Sequence, residues 1–182
     1  MGNYKSKPQN SCSEEHLKKI GELHSHISQK LTSDLTLIEP GFMTDLQVMK
    51  NISSNGNLFS SMQEACCRAE IERVAVFANS ESVNEVTETG LSVGHFCCQS
   101  IGSETRHLRI VAQKGASFTS SSKNEFTPLH LVAFNGDVDK AKIILEHLNT
   151  NEINKPGFGD VTPLHIAVMQ VYKCRRRLSI IT

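Results

Sequence analysis

The sequence predicts an all-α protein in which an N-terminal amphipathic helix or coiled coil precedes a short solenoid of stacked helix pairs. Two observations lead to this fold class. The tetrapeptide Thr-Pro-Leu-His begins at Thr127 and again at Thr162, an interval of 35 residues, and repeats with periods of about 20–50 residues are typical of stacked arrays. Apolar residues also recur at heptad-like spacing across residues 13–39, which is typical of a helix with one apolar face.

The composition gives little indication of a charged partner or a cofactor. Among 182 residues, 19 are Lys or Arg and 19 are Asp or Glu, so we expect no binding to nucleic acid. The six cysteines show no C-x-x-C spacing, and we therefore expect no structural metal site and no cofactor. Because no signal peptide and no long apolar run is visible, a cytoplasmic location is expected, with a nuclear one as an alternative.

The first segment, residues 1–12, is polar and is predicted to be disordered. It opens with Met-Gly-Asn-Tyr-Lys-Ser, which fits the pattern for myristoylation of Gly2. The alternative is a chance match. A single acyl chain would give only weak association with membranes.

Residues 13–39 are predicted to form one helix, which we expect to end at Pro40 because proline disrupts a helix interior. Its spacing favours either a coiled coil or an amphipathic helix packed on the rest of the chain. The seam consists of Leu17, Ile20, His24, Ile27, Leu31, Asp34 and Ile38.

Residues 40–87 are predicted to hold a loop, a second helix and a linker. The helix is expected over 62–77, where Ser61 and Glu64 have the spacing of a capping box. The polar residues that follow it are expected to form the linker to the repeats.

The residues around each Thr-Pro-Leu-His suit the start of a helix. Thr127 can cap the helix with its hydroxyl, and Pro128 needs no N–H at the first helical position. The pattern, with Ala133 and Gly136 behind it, resembles the ankyrin-repeat family over residues 88–170, in about two and a half copies. The resemblance implies that the histidines hydrogen-bond to backbone and link adjacent repeats. The repeat-building positions are Thr127, Pro128, Leu129, His130, Ala133, Gly136, Thr162, Pro163, Leu164, His165, Ala167 and His95.

The first copy departs from the pattern at Gly94, where the repeat would place a core leucine. Glycine costs about 1 kcal/mol relative to alanine in a helix, and the missing side chain removes packing. We therefore expect the first repeat to be weak and Gly94→Leu to raise the melting temperature.

The order of the segments resembles the N-terminal portion of the cardiac troponin I-interacting family of ankyrin-repeat protein kinases. The resemblance rests on the opening Met-Gly-Asn-Tyr-Lys-Ser, the helical segment and the Gly-Leu-Ser…His-x-Cys-Cys of the first copy. It implies a muscle protein whose partners are cardiac troponin I or the full-length kinase. The sequence holds no Gly-rich phosphate loop, H-R-D or D-F-G motif, so no catalytic residue and no enzyme activity are expected.

Two functions follow as hypotheses. The first is a non-catalytic protein-binding module, since stacked repeats present loops and a concave face to partners. The alternative is a regulatory or decoy subunit that pairs with the full-length kinase through the N-terminal helix. The candidate partner contacts are Lys123, Asn124, Glu125, Phe158, Asp160, Asn135 and Asp137.

The tail, residues 171–182, is basic and no longer follows the repeat. We interpret it as the product of truncation or alternative splicing. Ser179 lies in an R-R-x-S sequence that fits a basophilic kinase site, and the alternative is an ordinary solvated tail.

Overall fold

The computed structural model describes residues 14–50, 59–100 and 104–179, and these regions consist of helices joined by loops and turns. In these regions the only extended pairing is an isolated antiparallel bridge between Val86 and Ser92. The predicted all-α class is confirmed. The described helices are α1 (Glu14–Lys50), α2 (Ser61–Cys67), α3 (Ile71–Phe77), α4 (Val93–Gln99), α5 (Arg106–Gln113), α6 (Pro128–Asn135), α7 (Val138–Leu145), α8 (Thr150–Ile153) and α9 (Pro163–Ser179).

From α2 onward the helices stand in two rows. The first row is formed by α2, α4, α6 and α9, each packed on the next, and the second row by α3, α5 and α7. The core between the rows contains Phe96, Leu108, Leu131, Ile143 and Ile144, all fully buried. Each helix pair therefore depends on its neighbours to cover its apolar side.

A capping box begins every first-row helix. In each box the side chain of the capping residue bonds to the third helical residue, whose own side chain bonds back to the capping residue's amide. Three boxes use histidine where a typical box has Glu or Gln. The four pairs are Ser60–Gln63, Ser92–His95, Thr127–His130 and Thr162–His165.

The prediction of one helix over 62–77 is wrong, because α2 and α3 are separate. Ala69 adopts a left-handed conformation with φ of 53°, and the Glu70 amide donates back to the Ala65 carbonyl over 3.0 Å, as in a Schellman-type helix end. The capping box is Ser60–Gln63, not the expected Ser61–Glu64. A further helix pair therefore precedes the first expected repeat.

The prediction that Pro40 ends the first helix is also wrong, since α1 continues to Lys50. Proline removes one helical hydrogen bond and costs about 3 kcal/mol in a helix interior. The segment beyond it gains packing that offsets this cost, because Leu46 and Met49 are buried. The chain divides into two compact units, Met1–Thr36 and Leu37–Thr182, and the boundary between them falls within α1. The side chains of its predicted heptad seam lie outside the described ones.

The expected linker before the repeats is packed and partly ordered as a 3-10 turn, Ser82–Asn84. Val83 is buried. Asn84 accepts from the Ser117 amide over 2.9 Å and donates to the Gly115 carbonyl over 3.1 Å. The segment is therefore part of the helical array and not a free connection.

Gly94 lies against the ring of Phe118, and this contact reverses the expectation for Gly94→Leu. A Cβ atom at residue 94 would stand 3.0 Å from Phe118 Cδ1 and 3.1 Å from Pro128 Cγ. The phenyl ring occupies the space that a leucine would need. We now expect the substitution to destabilise the fold.

Candidate functional site

Three loops of the same construction precede α4, α6 and α9, and we call them the repeat loops: residues 87–91, 122–126 and 157–161. In each loop the first amide donates to the carbonyl four residues later over 2.9 Å. The fourth residue of each loop, Gly90, Glu125 or Asp160, has positive φ. The loops recur every 35 residues, so the tertiary structure has the same period as the sequence motif.

A buried histidine connects each of the first two histidine-containing boxes, Ser92–His95 and Thr127–His130, to the next repeat loop. His95 Nδ1 accepts from the Ser92 amide over 2.9 Å, and its Nε2 donates to the Phe126 carbonyl over 2.9 Å. His130 makes the same pair of bonds, to the Thr127 amide and the Val161 carbonyl, over 3.1 and 3.0 Å. The acceptor carbonyl lies 31 residues beyond the histidine in both cases.

These bonds require a neutral imidazole protonated on Nε2. Burial lowers the pKa of His95 to about 4 and that of His130 to about 4. A proton on Nδ1 would also face the amide N–H of the capping residue. The arrangement therefore positions helices and loops and leaves neither nitrogen free to move a proton.

The third histidine, His165, forms the same cap on α9. Its Nδ1 accepts from the Thr162 amide over 3.1 Å, but the side chain is exposed. Within the described part of the chain, its Nε2 has no backbone acceptor of the kind that His95 and His130 have.

A buried polar cluster joins the end of α4 to α7. Ser100 Oγ donates to the Cys97 carbonyl over 2.8 Å and accepts from Lys140 Nζ over 3.1 Å. His107 Nε2 lies 2.8 Å from Ser100 Oγ and 3.2 Å from the same carbonyl, so this nitrogen carries a proton and cannot act as a base on the serine. Burial lowers the His107 pKa. The cluster clamps two helices and does not activate a nucleophile.

The cysteines of the first copy contribute to the core. Cys97 and Cys98 are buried, as is Cys66. Burial raises the pKa of the Cys97 and Cys98 thiols, and a thiol that stays protonated is a poor nucleophile and metal ligand. In the described regions no group of three or more His, Cys, Asp or Glu side chains could hold a metal ion.

The second repeat loop is covered in part by α1. Asp45, which is buried, accepts from Ser122 Oγ and from Asn124 Nδ2 over 2.7 Å each. Burial raises the pKa of Asp45, and the two hydrogen bonds partly offset this effect. Of the partner-contact candidates in this loop, Asn124 is therefore engaged within the chain, whereas Lys123 and Glu125 are exposed.

The third repeat loop is open. Phe158 exposes 49% of its surface, and Asp160 is exposed beside it. The last two candidates, Asn135 and Asp137, lie at the end of α6 and line an apolar groove, so they are separated from the loop candidates. Sequence reasoning missed this groove, because its other walls come from α7 and α9.

Two modification sites were predicted near the ends of the chain. Gly2 lies outside the described residues. Ser179 is the last residue of α9, and its side chain is not described. In the described part of the chain no helix has both the length and the apolar character to cross a membrane.

Comparison with known proteins identifies relatives. No family model matches the chain. Serine/threonine-protein kinase TNNI3K of mouse is 31% identical over 160 residues, which is 87% of this chain. The human protein of the same name is 31% identical over 159 residues, again 87% of the chain. This chain is a relative of TNNI3K. It spans 16% of the length of either kinase.

Proposed function

We propose that this chain is a non-catalytic protein–protein interaction module built on ankyrin-type repeats. We further propose that it is a truncated form of an ankyrin-repeat protein kinase that binds partner proteins in the cytoplasm of muscle cells. The observation on which the proposal rests is the recurrence of the repeat loops every 35 residues. A rigid array that presents equivalent loops side by side suits recognition of another protein.

The third repeat loop is the best contact surface on this array. Its tip combines an exposed aromatic ring, Phe158, with the carboxylate of Asp160. Aromatic side chains at rigid positions are favoured at protein interfaces, since they bury much apolar area at little conformational cost. Lys155 Nζ donates to the Thr119 carbonyl over 2.7 Å, which braces the start of this loop on the preceding repeat.

The test uses the partners that the resemblance suggests, cardiac troponin I and the full-length kinase, each immobilised for biolayer interferometry. We expect at least one of them to bind the full chain and Phe158→Ser to weaken that binding by about tenfold, as the loss of an aromatic interface anchor typically does. Val76→Ser is the matched control, because Val76 is exposed on α3. Binding of neither protein, or equal weakening by both substitutions, would contradict the proposal.

The second candidate function is that of a decoy subunit of the kinase. The observation that favours it is the length of α1, 37 residues, which is enough for several heptads. Replacing Leu17, Ile27 and Leu31 together by Asp should then abolish co-precipitation with the full-length kinase. Undiminished co-precipitation would exclude this function and leave the loop surface as the remaining explanation for binding.

A further inference from the structure

An apolar groove of about 730 Å³ lies between α6, α7 and α9. Leu129 and Ala141 line it together with Leu164 and Val171. Leu164 exposes 68% of its surface and Val171 exposes 69%. Contiguous exposed apolar surface of this kind marks interaction sites in proteins.

The two-row architecture indicates which kind of structure fits the groove. Helix α7 packs on α6 in its own repeat and on α5 in the preceding one. A helix in the groove would have the equivalent neighbours one repeat later, with α9 in place of α6 and α7 in place of α5. In its own position α7 buries Ile143 and Ile144 together with the stem of Lys140. The groove therefore has the form of a seat for a helix that has an aliphatic pair on its inner face.

Electrostatics adds a requirement for a cation. Lys140 Nζ donates to the Ser100 carbonyl at the end of α4 over 2.8 Å and lies 3.4 Å from Asp137 Oδ2. Asn135 follows Ser100 by 35 residues, ends α6, and lines the groove with Asp137. The carbonyl end of a helix attracts a positive charge, whereas Asp137 is already paired with Lys140. An occupant with Lys or Arg three residues before its aliphatic pair would reproduce the contact of Lys140 with a helix-end carbonyl.

His165 supplies a second attachment point. In the two preceding repeats the histidine donates from Nε2 to a loop carbonyl 31 residues later, whereas the exposed His165 has no such acceptor in the described part of the chain. A helix bound in the groove and followed by a repeat loop would bring a carbonyl to this nitrogen.

The structure also explains why the described helix α9 leaves the groove open. Gly136 caps the end of α6 with φ of 72°, which allows the chain to turn back into α7. The residue 35 positions later is Val171, for which a positive φ is strongly unfavourable. Helix α9 therefore continues to Ser179 and does not return over its own apolar side.

From these observations we propose that the groove binds an amphipathic helix of a partner protein, with a Lys or Arg three residues before an aliphatic pair. The helix takes the position that α7 occupies one repeat earlier, and a loop carbonyl behind it accepts from His165. This deepens the proposed binding function and rests on it.

The probe is a fluorescein-labelled peptide of residues 136–149 of this chain, which contains Lys140, Ile143 and Ile144. A lactam bridge between Lys142 and a V138E substitution keeps it helical, since a short free helix is marginal in water. Both bridged positions are exposed in α7. We expect saturable binding to the full chain in fluorescence anisotropy. The same bridged peptide with Ile143→Asp and Ile144→Asp should not bind.

Protein variants locate the site. Leu164→Asp should weaken peptide binding by about tenfold or more, because a carboxylate would be buried against apolar groups. Val76→Asp on α3 is the control and should bind as the wild type does. Far-UV circular dichroism verifies that both variants fold. Absence of saturable binding by the bridged peptide, or full affinity of Leu164→Asp, would overturn the proposal.

A longer peptide, residues 136–161, tests the histidine. It adds the loop and the Val161 carbonyl, the acceptor of His130 in the intact chain. His165→Ala should weaken binding of this peptide by about threefold to tenfold, as the loss of one hydrogen bond does, and leave the shorter peptide unaffected. If His165→Ala binds the longer peptide as tightly as the wild type does, the proposed role of His165 is contradicted.

The proposal for the loop surface and the proposal for the groove can be tested independently. Phe158 does not line the groove, so Phe158→Ser should bind both peptides normally. A chain that binds troponin I or the kinase through Phe158 but ignores the peptides supports the loop surface and overturns the groove proposal. Peptide binding without binding to either protein supports the groove and contradicts the partners suggested for the loops.

Discussion

His130 and Val161 are joined by a hydrogen bond of 3.0 Å from the imidazole Nε2 to the backbone carbonyl. The bond connects the start of α6 to the loop that precedes α9. His95 and Phe126 form the equivalent bond one repeat earlier, over 2.9 Å. Both histidines also hold the amide of their capping residue through Nδ1. Each imidazole thus serves its own helix and the next repeat at once, and it can do so only while it is neutral.

Acidification should therefore destabilise the fold. The pKa is about 4 for folded His95 and about 4 for folded His130, against roughly 6.5 in an unfolded chain. Between these values the unfolded state binds protons that the folded state does not, so the free energy of unfolding falls as the pH falls from about 6.5 to 4. The loss is about 3 kcal/mol for each imidazole by pH 4. Urea unfolding at pH 7.5, 5.5 and 4.5 measures it.

The control for the pH effect is the double variant His95→Gln/His130→Gln. Glutamine does not titrate, so the variant should be less stable at pH 7.5 but should lose less of its stability on acidification. A free energy of unfolding that does not change between pH 7.5 and 4.5 in the wild type would contradict the histidine assignment.

Gly94→Leu should lower the free energy of unfolding by about 1–3 kcal/mol, which is typical of overpacking a filled core. The cause is Phe118, whose ring carbon Cδ1 would lie 3.0 Å from the new Cβ. Thermal unfolding followed by circular dichroism measures the change. In a Phe118→Ala background the same substitution should be less damaging, since the leucine then enters the vacated space. A higher melting temperature for Gly94→Leu alone would contradict this account, because it would show that the core has room for a side chain at residue 94.

Asp45→Ala should loosen the end of α1. The carboxylate accepts two hydrogen bonds of 2.7 Å, from Ser122 and Asn124, and its loss leaves both donors without this acceptor. We expect a loss of about 1–3 kcal/mol and faster hydrogen exchange across residues 37–50. Thr44→Ala is the control, because Thr44 is exposed and its hydroxyl bonds to the Pro40 carbonyl of the same helix. Similar exchange in both variants would contradict a docking role for Asp45.

Sequence reasoning succeeded where the determinants are local and repeated. Thr127 and Pro128 are adjacent, so the capped start of α6 was predicted from a short motif, although the return bond from His130 was not. It failed for α2, whose box uses Gln63, and whose turn is formed by Ala69 where α6 has Gly136. The spacing of Ser60 and Gln63 was a usable signal, because Ser-x-x-Gln is also a capping box.

The remaining differences arise from contacts between distant parts of the chain. Helix α1 passes Pro40 because Asp45, Leu46 and Met49 beyond it are buried, and no local pattern reveals this. Gly94 resembled a missing leucine because the ring that fills its space belongs to Phe118, 24 residues later. The groove likewise escaped prediction, since it is formed only when α6, α7 and α9 come together.

The most direct test of the central claim compares urea unfolding of the wild type, His130→Ala and His165→Ala by far-UV circular dichroism. If the histidine bonds link the repeats and the third copy lacks such a bond, residues 37–182 should unfold in one cooperative transition. His130→Ala should then lose about 2–4 kcal/mol, because it removes two buried hydrogen bonds and leaves the Thr127 amide without this acceptor. His165→Ala, which removes only an exposed cap, should lose no more than about 1 kcal/mol. Equal losses, or a gradual loss of signal without a transition, would contradict the account.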